Sequence, residues 1–494
     1  MRTVSSHFGG RRSSWAALLT LLLLVPAQAL AHTALRSSSP ANGAHLGEVP
    51  RELRLRFNEP VELALARIAL VGPEGAEATL GELQNAPDSA TVVVAPIEGP
   101  LSAGTYTVRW QIAGADGHPV RGEYTFMISP GARGLAAGPG PAAPGQAAPP
   151  AGHHHDPTSF PTGEGFDANS PLYVAVRWLT FVGLLGVVGA VAFRLLVLPL
   201  AGRRPLSTAP MLYDSASRRA AHVGLWMAVV VAVAAALRLF AQSYALHGAG
   251  GAWNPGLLAA LLSRTTWGWG WLLQAGGVVP ALAGFAGAAR GARAGWVTAA
   301  AGALALSFTP GLSGHAAASQ ELAPVAILAD GLHVLGAGGW LGSLLLVMVA
   351  GVPAAMRLGH AARGKAVADL VNGFSPTALL FAGIVVATGV FAAWLHLGSV
   401  ADLWERGYGR TLLLKLGVLS VVFGTGAYNW LKVRPALGSE EAAGRLRRSA
   451  ALELAVGVLV LGITAALVAT SPAVEMDVTE QSGGDSVAAA EPHP

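Results

Sequence analysis

The chain has 494 residues, of which 52% are hydrophobic and only 12% charged; it contains no cysteine and carries a formal net charge of +4. Soluble globular proteins carry about a quarter charged residues, so this composition excludes a disordered chain and argues against a purely soluble enzyme. The missing cysteine excludes disulfides, thiolate zinc sites, iron–sulfur clusters and a Cys nucleophile, and leaves any metal to His, Asp, Glu, Met, backbone or the amino terminus.

Residues 1–31 read as a signal peptide. Arg2, Arg11 and Arg12 give a positive region, Trp15–Val25 an apolar run too short to span comfortably, and Ala29-Leu30-Ala31 a small-x-small cleavage pattern. Cleavage after Ala31 makes His32 the first residue of the mature chain. A terminal His offers an α-amine and an imidazole that can chelate one metal together.

Residues 32–130 read as a small β-sandwich. Leu53, Leu55 and Phe57 alternate with Arg54, Arg56 and Asn58, a half-buried strand that stops at Pro60. Ile68–Val71, Thr91–Val94, the alternation of Tyr106, Val108 and Trp110, and Tyr124–Ile128 supply further strands. Residues 131–170 are Gly/Ala/Pro-rich, contain His153, His154 and His155, and read as a flexible linker.

Residues 171–472 read as an all-α membrane bundle in the lipid bilayer. About eight apolar stretches are long enough to span: 172–199, 221–241, 267–289, 294–311, 323–352, 374–397, 411–431 and 450–470. With the β-domain exported, the loops expected inside hold Arg203, Arg204, Arg218, Arg219, Arg290, Arg293, Arg357, Arg363, Lys365, Lys432, Arg434, Arg445, Arg447 and Arg448. Those expected outside hold only Arg264, Arg406 and Arg410. This asymmetry supports a multi-pass plasma-membrane chain with its β-domain exported and explains the basic excess without nucleic acid. Residues 473–494, with no Lys or Arg, read as a disordered exported tail.

Asp116-Gly117-His118 is the one compact cluster of metal-binding side chains in the β-domain. In an extended or turn conformation Asp116 and His118 point the same way. With the amine and imidazole of His32 they make three nitrogens and one carboxylate oxygen, the tetragonal N/O set that Cu(II) prefers. Met127 reads as a core residue, so no methionine site for Cu(I) is expected, and His45 reads as a surface residue. In the membrane half, Asp330 and His333 share a helix face at i and i+3, about 12–17 Å below the outer end of their span. His315 lies in an outer loop and His396 at the outer end of the sixth span, so these four could meet in the outward half. Burying charge in hydrocarbon is costly, which makes them functional candidates. Arg177, Arg194 and Arg238 read as snorkelling span-end residues, and Lys415 as either snorkelling or paired with a carboxylate.

These residues resemble a fusion of two copper-resistance families, CopC and CopD. Similarity to CopC rests on His32 after Ala-x-Ala, Ser38-Ser39-Pro40-Ala41-Asn42-Gly43, Leu55-Arg56-Phe57-Asn58-Glu59-Pro60-Val61 and Asp116-Gly117-His118-Pro119-Val120-Arg121-Gly122. Similarity to CopD rests on Gly314-His315-Ala316, Asp330-Gly331-Leu332-His333-Val334, Gly339-Trp340-Leu341-Gly342 and Tyr408-Gly409-Arg410-Thr411-Leu412-Leu413-Leu414-Lys415. The resemblance implies a cupredoxin-like sandwich that holds Cu(II) in the periplasm through His32, Asp116 and His118. It further implies a membrane domain for copper uptake, with a periplasmic copper donor and a cytoplasmic acceptor, and no catalytic residue. Two other readings stay open: a membrane copper or haem oxidoreductase, and a resistance protein that sequesters copper without transport.

Overall fold

The computed structural model describes residues 34–58, 61–87, 89–113, 119–134, 170–203, 207–312, 322–397, 399–436 and 440–468. The expected signal peptide, most of the linker and the C-terminal tail lie outside these residues.

Among the described residues nine strands precede the long helices: β1 (Leu35–Ser39), β2 (His45–Glu48), β3 (Glu52–Phe57), β4 (Arg67–Val71), β5 (Glu77–Leu80), β6 (Gln84–Ala86), β7 (Ser89–Glu98), β8 (Gly104–Ala113) and β9 (Pro119–Arg133). Their order is β1-β3-β7-β5-β4-β8-β9-β2, with β6 on β7. Strand β5 pairs with both β4 and β7, so the sheet folds over itself into two layers. The expected alternation holds: Leu53, Leu55 and Phe57 are buried while Arg54 and Arg56 face outward. Phe57 meets Trp110 edge-on at 5.4 Å and Tyr106 stacks on Phe126 at 5.6 Å, which closes the core. Gly122 is opposite Trp110 in the β8–β9 register, and a Cβ there would lie 2.4 Å from the Trp110 ring. Met127 corrects the sequence reading. Its neighbours Phe126 and Ile128 take the inward positions of β9, so the pleat turns Met127 to the surface, 36% exposed.

The helices are α1 (Pro171–Gly202), α2 (Ala209–Gly251), α3 (Pro255–Arg264), α4 (Thr266–Ala289), α5 (Arg293–Ser307), α6 (Pro324–Ala355), α7 (His360–His396), α8 (Gly407–Lys432) and α9 (Glu440–Leu467). Among the described residues seven of them are long and apolar enough to cross a membrane. The eighth expected span, 294–311, is the 15-residue α5 followed by a one-turn helix at Thr309–Leu312. Helices α4 and α5 form a hairpin around Gly291 (φ 94°) and approach backbone to backbone: a Cβ on Gly284 would lie 2.3 Å from the Ala299 nitrogen.

Three of the long helices contain π-bulges, at Phe193–Val197 in α1, Gly338–Gly342 and Val347–Gly351 in α6, and Asn429–Val433 in α8. A π-bulge re-aims the face beyond it. The Gly338–Gly342 bulge lets α6 lie directly on α1, where a Cβ on Gly342 would come within 2.1 Å of the Leu185 carbonyl. At the end of the bundle far from the β-domain, Asp369 of α7 accepts from the Thr208 backbone N–H (2.8 Å), the Thr208 hydroxyl (3.0 Å) and the Ser207 hydroxyl (3.3 Å), and so caps the start of α2.

Candidate functional site

Of the expected ligands, His32, Asp116, His118 and His315 lie outside the described residues; the elements that flank the first three are described. Strand β8 ends at Ala113, which pairs with Pro119 at the start of β9, so Asp116 and His118 belong to the connection of that hairpin. Near the start of the chain, the Ala34 N–H donates to Asn58 Oδ1 (2.6 Å) and the Asn58 N–H donates back to the Ala34 carbonyl (3.1 Å). Asn58 follows Phe57, whose ring touches Trp110, three residues before β8 ends. Ala34 and both ends of the 114–118 connection therefore gather at the same end of the sandwich.

The residues next to that connection dock on the helical bundle. Arg67, Gln111 and Arg121 stand side by side in register on β4, β8 and β9. Gln111 Nε2 donates to the Leu246 carbonyl (2.8 Å), Arg121 Nη2 to the Ala245 carbonyl (3.0 Å) and Arg67 Nη2 to the His247 carbonyl (3.4 Å), while Arg121 Nε donates to Gln111 Oε1 (2.8 Å). The three acceptors are consecutive carbonyls of α2. They lie at the kink where Gly248 leaves the helical conformation (φ 67°, ψ −177°). One rung of the sheet thus grips α2 at its kink, where cationic donors suit the carbonyl end of the segment before it. Leu65 is buried among Leu246, Leu261 and Trp267 beside this rung, and Glu62 pairs with Arg264 of α3 at 3.1 Å. Burial, and then the cation of Arg121, lower the pKa of the Arg67 guanidinium.

In the bundle, Asp330 and His333 lie one turn apart on α6. His333 Nδ1 is 2.8 Å from the Thr388 hydroxyl of α7. Asp330 and Lys415 of α8 are within electrostatic reach of each other, but among the described residues no hydrogen bond or ion pair joins them. His396 ends α7 and meets Tyr408 of α8 edge-on at 6.0 Å. It is eight residues past Thr388, about 12 Å along the helix, so it stands nearer the β-domain end than the Asp330–His333 level. Among the described residues no group of three or more His, Asp or Glu is close enough to hold a metal ion.

The three arginines read as snorkelling turn inward instead. Arg177 donates to the Ala465 carbonyl (3.0 Å), Arg194 to the Ser217 hydroxyl (3.0 Å) and Arg238 to Gln274 Oε1 (2.8 Å). Each finds a polar group on a neighbouring helix. The sequence reading passed over Glu453, an acid inside the last apolar stretch. It is 3% exposed on α9 and accepts from the Asn429 amide, which in turn accepts from the Ser449 hydroxyl (2.6 Å). An acidic residue in an otherwise apolar span was the signal for it. The Arg67–Gln111–Arg121 rung carried no such signal, because its members are distant in sequence.

A family model for the CopC domain matches residues 35–129, one for the N-terminal domain of copper resistance protein D-like chains matches 167–325, and one for copper resistance protein D matches 368–467. The copper transport protein CutJ of Bacillus subtilis is 25% identical over 94% of this chain and 78% of its own length. Copper resistance protein C of Pseudomonas syringae pv. tomato is 34% identical over 24% of this chain and 96% of its own. Copper resistance protein D of the same organism is 28% identical over 62% of this chain and 98% of its own. Among solved structures, CopC from Methylosinus trichosporium OB3b is 28% identical and covers 20% of this chain and 95% of that one, with a TM-score of 0.19. β-Sandwich, helical bundle and matched segments run in one order, and the chain belongs to the copper-resistance family as a CopC domain fused to a CopD membrane domain.

Proposed function

We propose that this chain captures Cu(II) on the exported side of the plasma membrane through the amine and imidazole of His32 with Asp116 and His118, and passes it inward through the helical bundle. His315, Asp330, His333 and His396 form the membrane path, fed by a periplasmic donor and emptied by a cytoplasmic acceptor. The observation that carries this reading is the docked rung. Gln111 and Arg121 sit two residues from the ends of the connection that holds Asp116 and His118, and both are bonded to α2. Hand-over between domains held in contact needs no diffusion of a tethered module.

Orientation follows from charge. The β-domain shares its end of the bundle with Arg264, Arg406 and Arg410, whereas the opposite end carries Arg203, Arg218, Arg219, Arg290, Arg293, Arg357, Arg363, Lys365, Lys432, Arg434, Arg445, Arg447 and Arg448, as the positive-inside rule requires for an exported β-domain. An N/O ligand set that includes a carboxylate suits Cu(II) over Cu(I), and residues 1–31 are the export signal whose removal creates the amine ligand.

The test is a Cu(II) titration of the full-length protein, followed by EPR, in a form that begins at His32 and in one with an extra Ala ahead of it. The native start binds one Cu(II) with nitrogen hyperfine structure, and the extended form binds at least roughly tenfold more weakly, the loss that even an outer-shell ligand partner causes. Equal binding by both forms removes His32 from the site.

A further inference from the structure

Two guanidiniums lie within the bundle with no carboxylate paired to them among the described residues. Arg177 stands on α1 with its guanidinium 5.0 Å from the Tyr173 ring, and spends one N–H on the Ala465 carbonyl of α9. Arg238 stands on α2, 5.7 Å from the Trp267 ring, and spends one N–H on Gln274 Oε1 of α4. The two cations repel each other, and neither takes part in an ion pair among the described residues. Rings and carbonyls soften this charge but leave it in place.

Gln274 is the third member. It is fully buried, its oxygen is used by Arg238, and its Nε2 has no hydrogen-bond partner among the described residues. A buried amide N–H₂ without an acceptor leaves its desolvation cost unrecovered. Gln242, one turn beyond Arg238, already accepts from the Tyr173 hydroxyl (3.4 Å), which ties α1 to α2 at the same level. Arg177 is six residues from Pro171 and Gln274 eight from Thr266, so they lie about 9 and 12 Å below the β-domain end of the bundle.

Every unspent group in this cluster is a donor, and the net charge is positive. Such a set repels a metal cation, and the planar guanidinium forks match the paired oxygens of a carboxylate or phosphate. We infer that Arg177, Arg238 and Gln274 form a binding site for an oxyanion, a phosphate or carboxylate group, in the β-domain half of the bundle. The group is carried either by a small soluble anion or by a lipid headgroup reaching between helices. The inference stands apart from the copper path, which involves α6, α7 and α8.

The experiment uses the full-length protein, delipidated in maltoside micelles and followed by thermal unfolding at constant ionic strength. Three probes are added separately: inorganic phosphate, acetate, and phosphatidylglycerol, with diacylglycerol as the phosphate-free lipid control. The expected result is a saturable rise of a few degrees in Tm, lost in Arg238→Gln and only partly kept in Arg238→Lys, which retains the charge without the fork. A rise with phosphate or acetate identifies a soluble anion; a rise with phosphatidylglycerol but not diacylglycerol identifies a headgroup. No rise with any probe, or an equal rise in Arg238→Gln, overturns the site. Should Arg238→Gln fail to fold, Arg238→Lys gives the same comparison, and an undiminished rise there overturns the fork.

Discussion

Replacing Gln111 by Ala should release the β-domain from the bundle. Gln111 is 1% exposed and makes two bonds, to the Leu246 carbonyl at 2.8 Å and from Arg121 Nε at 2.8 Å. Loss of the first removes the donor that holds a carbonyl at the Gly248 kink of α2; loss of the second removes a charge-assisted bond that aims Arg121 at Ala245. A neutral bond contributes about 1 kcal/mol and one to a charged group about 1.5–3, so docking weakens by about 2.5–4 kcal/mol. At 1.4 kcal/mol per factor of ten, the ratio of docked to undocked molecules falls roughly 60- to 700-fold. The chain has no cysteine, so spin labels go on Glu77→Cys and Ser263→Cys, two exposed positions on either side of the joint, without removing native thiols. Pulsed EPR should give one narrow distance in the parent protein and a broad distribution in the Gln111→Ala form. A narrow, unshifted distance in the variant would mean that the Leu65 contact and the Glu62–Arg264 pair hold the domain alone, and the rung argument would fail.

Three further outcomes are expected. Asp369→Ala removes the acceptor for three donors at the start of α2 and should lower stability by about 2 kcal/mol, with Asp369→Asn costing less because an acceptor oxygen remains; denaturant unfolding in micelles checks the order. Gly122→Ala places a methyl 2.4 Å from the Trp110 ring and should cost about 1–3 kcal/mol through overpacking, visible as an earlier thermal transition in tryptophan fluorescence. Copper affinity at the proposed capture site should rise with pH up to about 8, since the His32 amine must lose its proton to bind; a flat profile over pH 6–8 in the EPR titration would argue against an amine ligand.

Much of this architecture was readable from local pattern. Alternation at Leu53, Leu55 and Phe57 gave a strand because a period of two is a local property, and the apolar stretches gave spans because a bilayer sets their length. The i, i+3 spacing of Asp330 and His333 likewise put both on one face. What local pattern does not carry is which face of one element meets which face of another. The carboxylate whose charge reaches Lys415 lies 85 residues away on α6, and Arg67 joins Gln111 and Arg121 only through sheet register. Arg177, Arg194 and Arg238 read as snorkelling residues because hydropathy sees depth along a helix but not an acceptor on its neighbour. Met127 sits in an apolar run whose alternation with Phe126 and Ile128 is hidden by the lack of a polar residue. The π-bulges have the same effect on the helices: each shifts the face that a fixed period of 3.6 would assign.

The proposed membrane path meets its most decisive test at Asp330 and Lys415. Asp330→Asn does two things at once: it removes a carboxylate oxygen and leaves the Lys415 cation without the charge that attracts it. Removing one of two attracting charges inside the bundle also destabilises the fold, so loss of copper uptake in this variant alone does not separate the two effects. Lys415→Met leaves the carboxylate in place and removes the repelling cation, so uptake of radioactive copper into cells should be retained. The double variant Asp330→Asn/Lys415→Met has no unpaired charge, and its stability should recover toward that of the parent protein. Its uptake should remain lost if the carboxylate handles copper. Recovery of uptake together with stability in the double variant would make Asp330 only the counter-ion of Lys415, and the copper path would then have to be drawn through His333 without it.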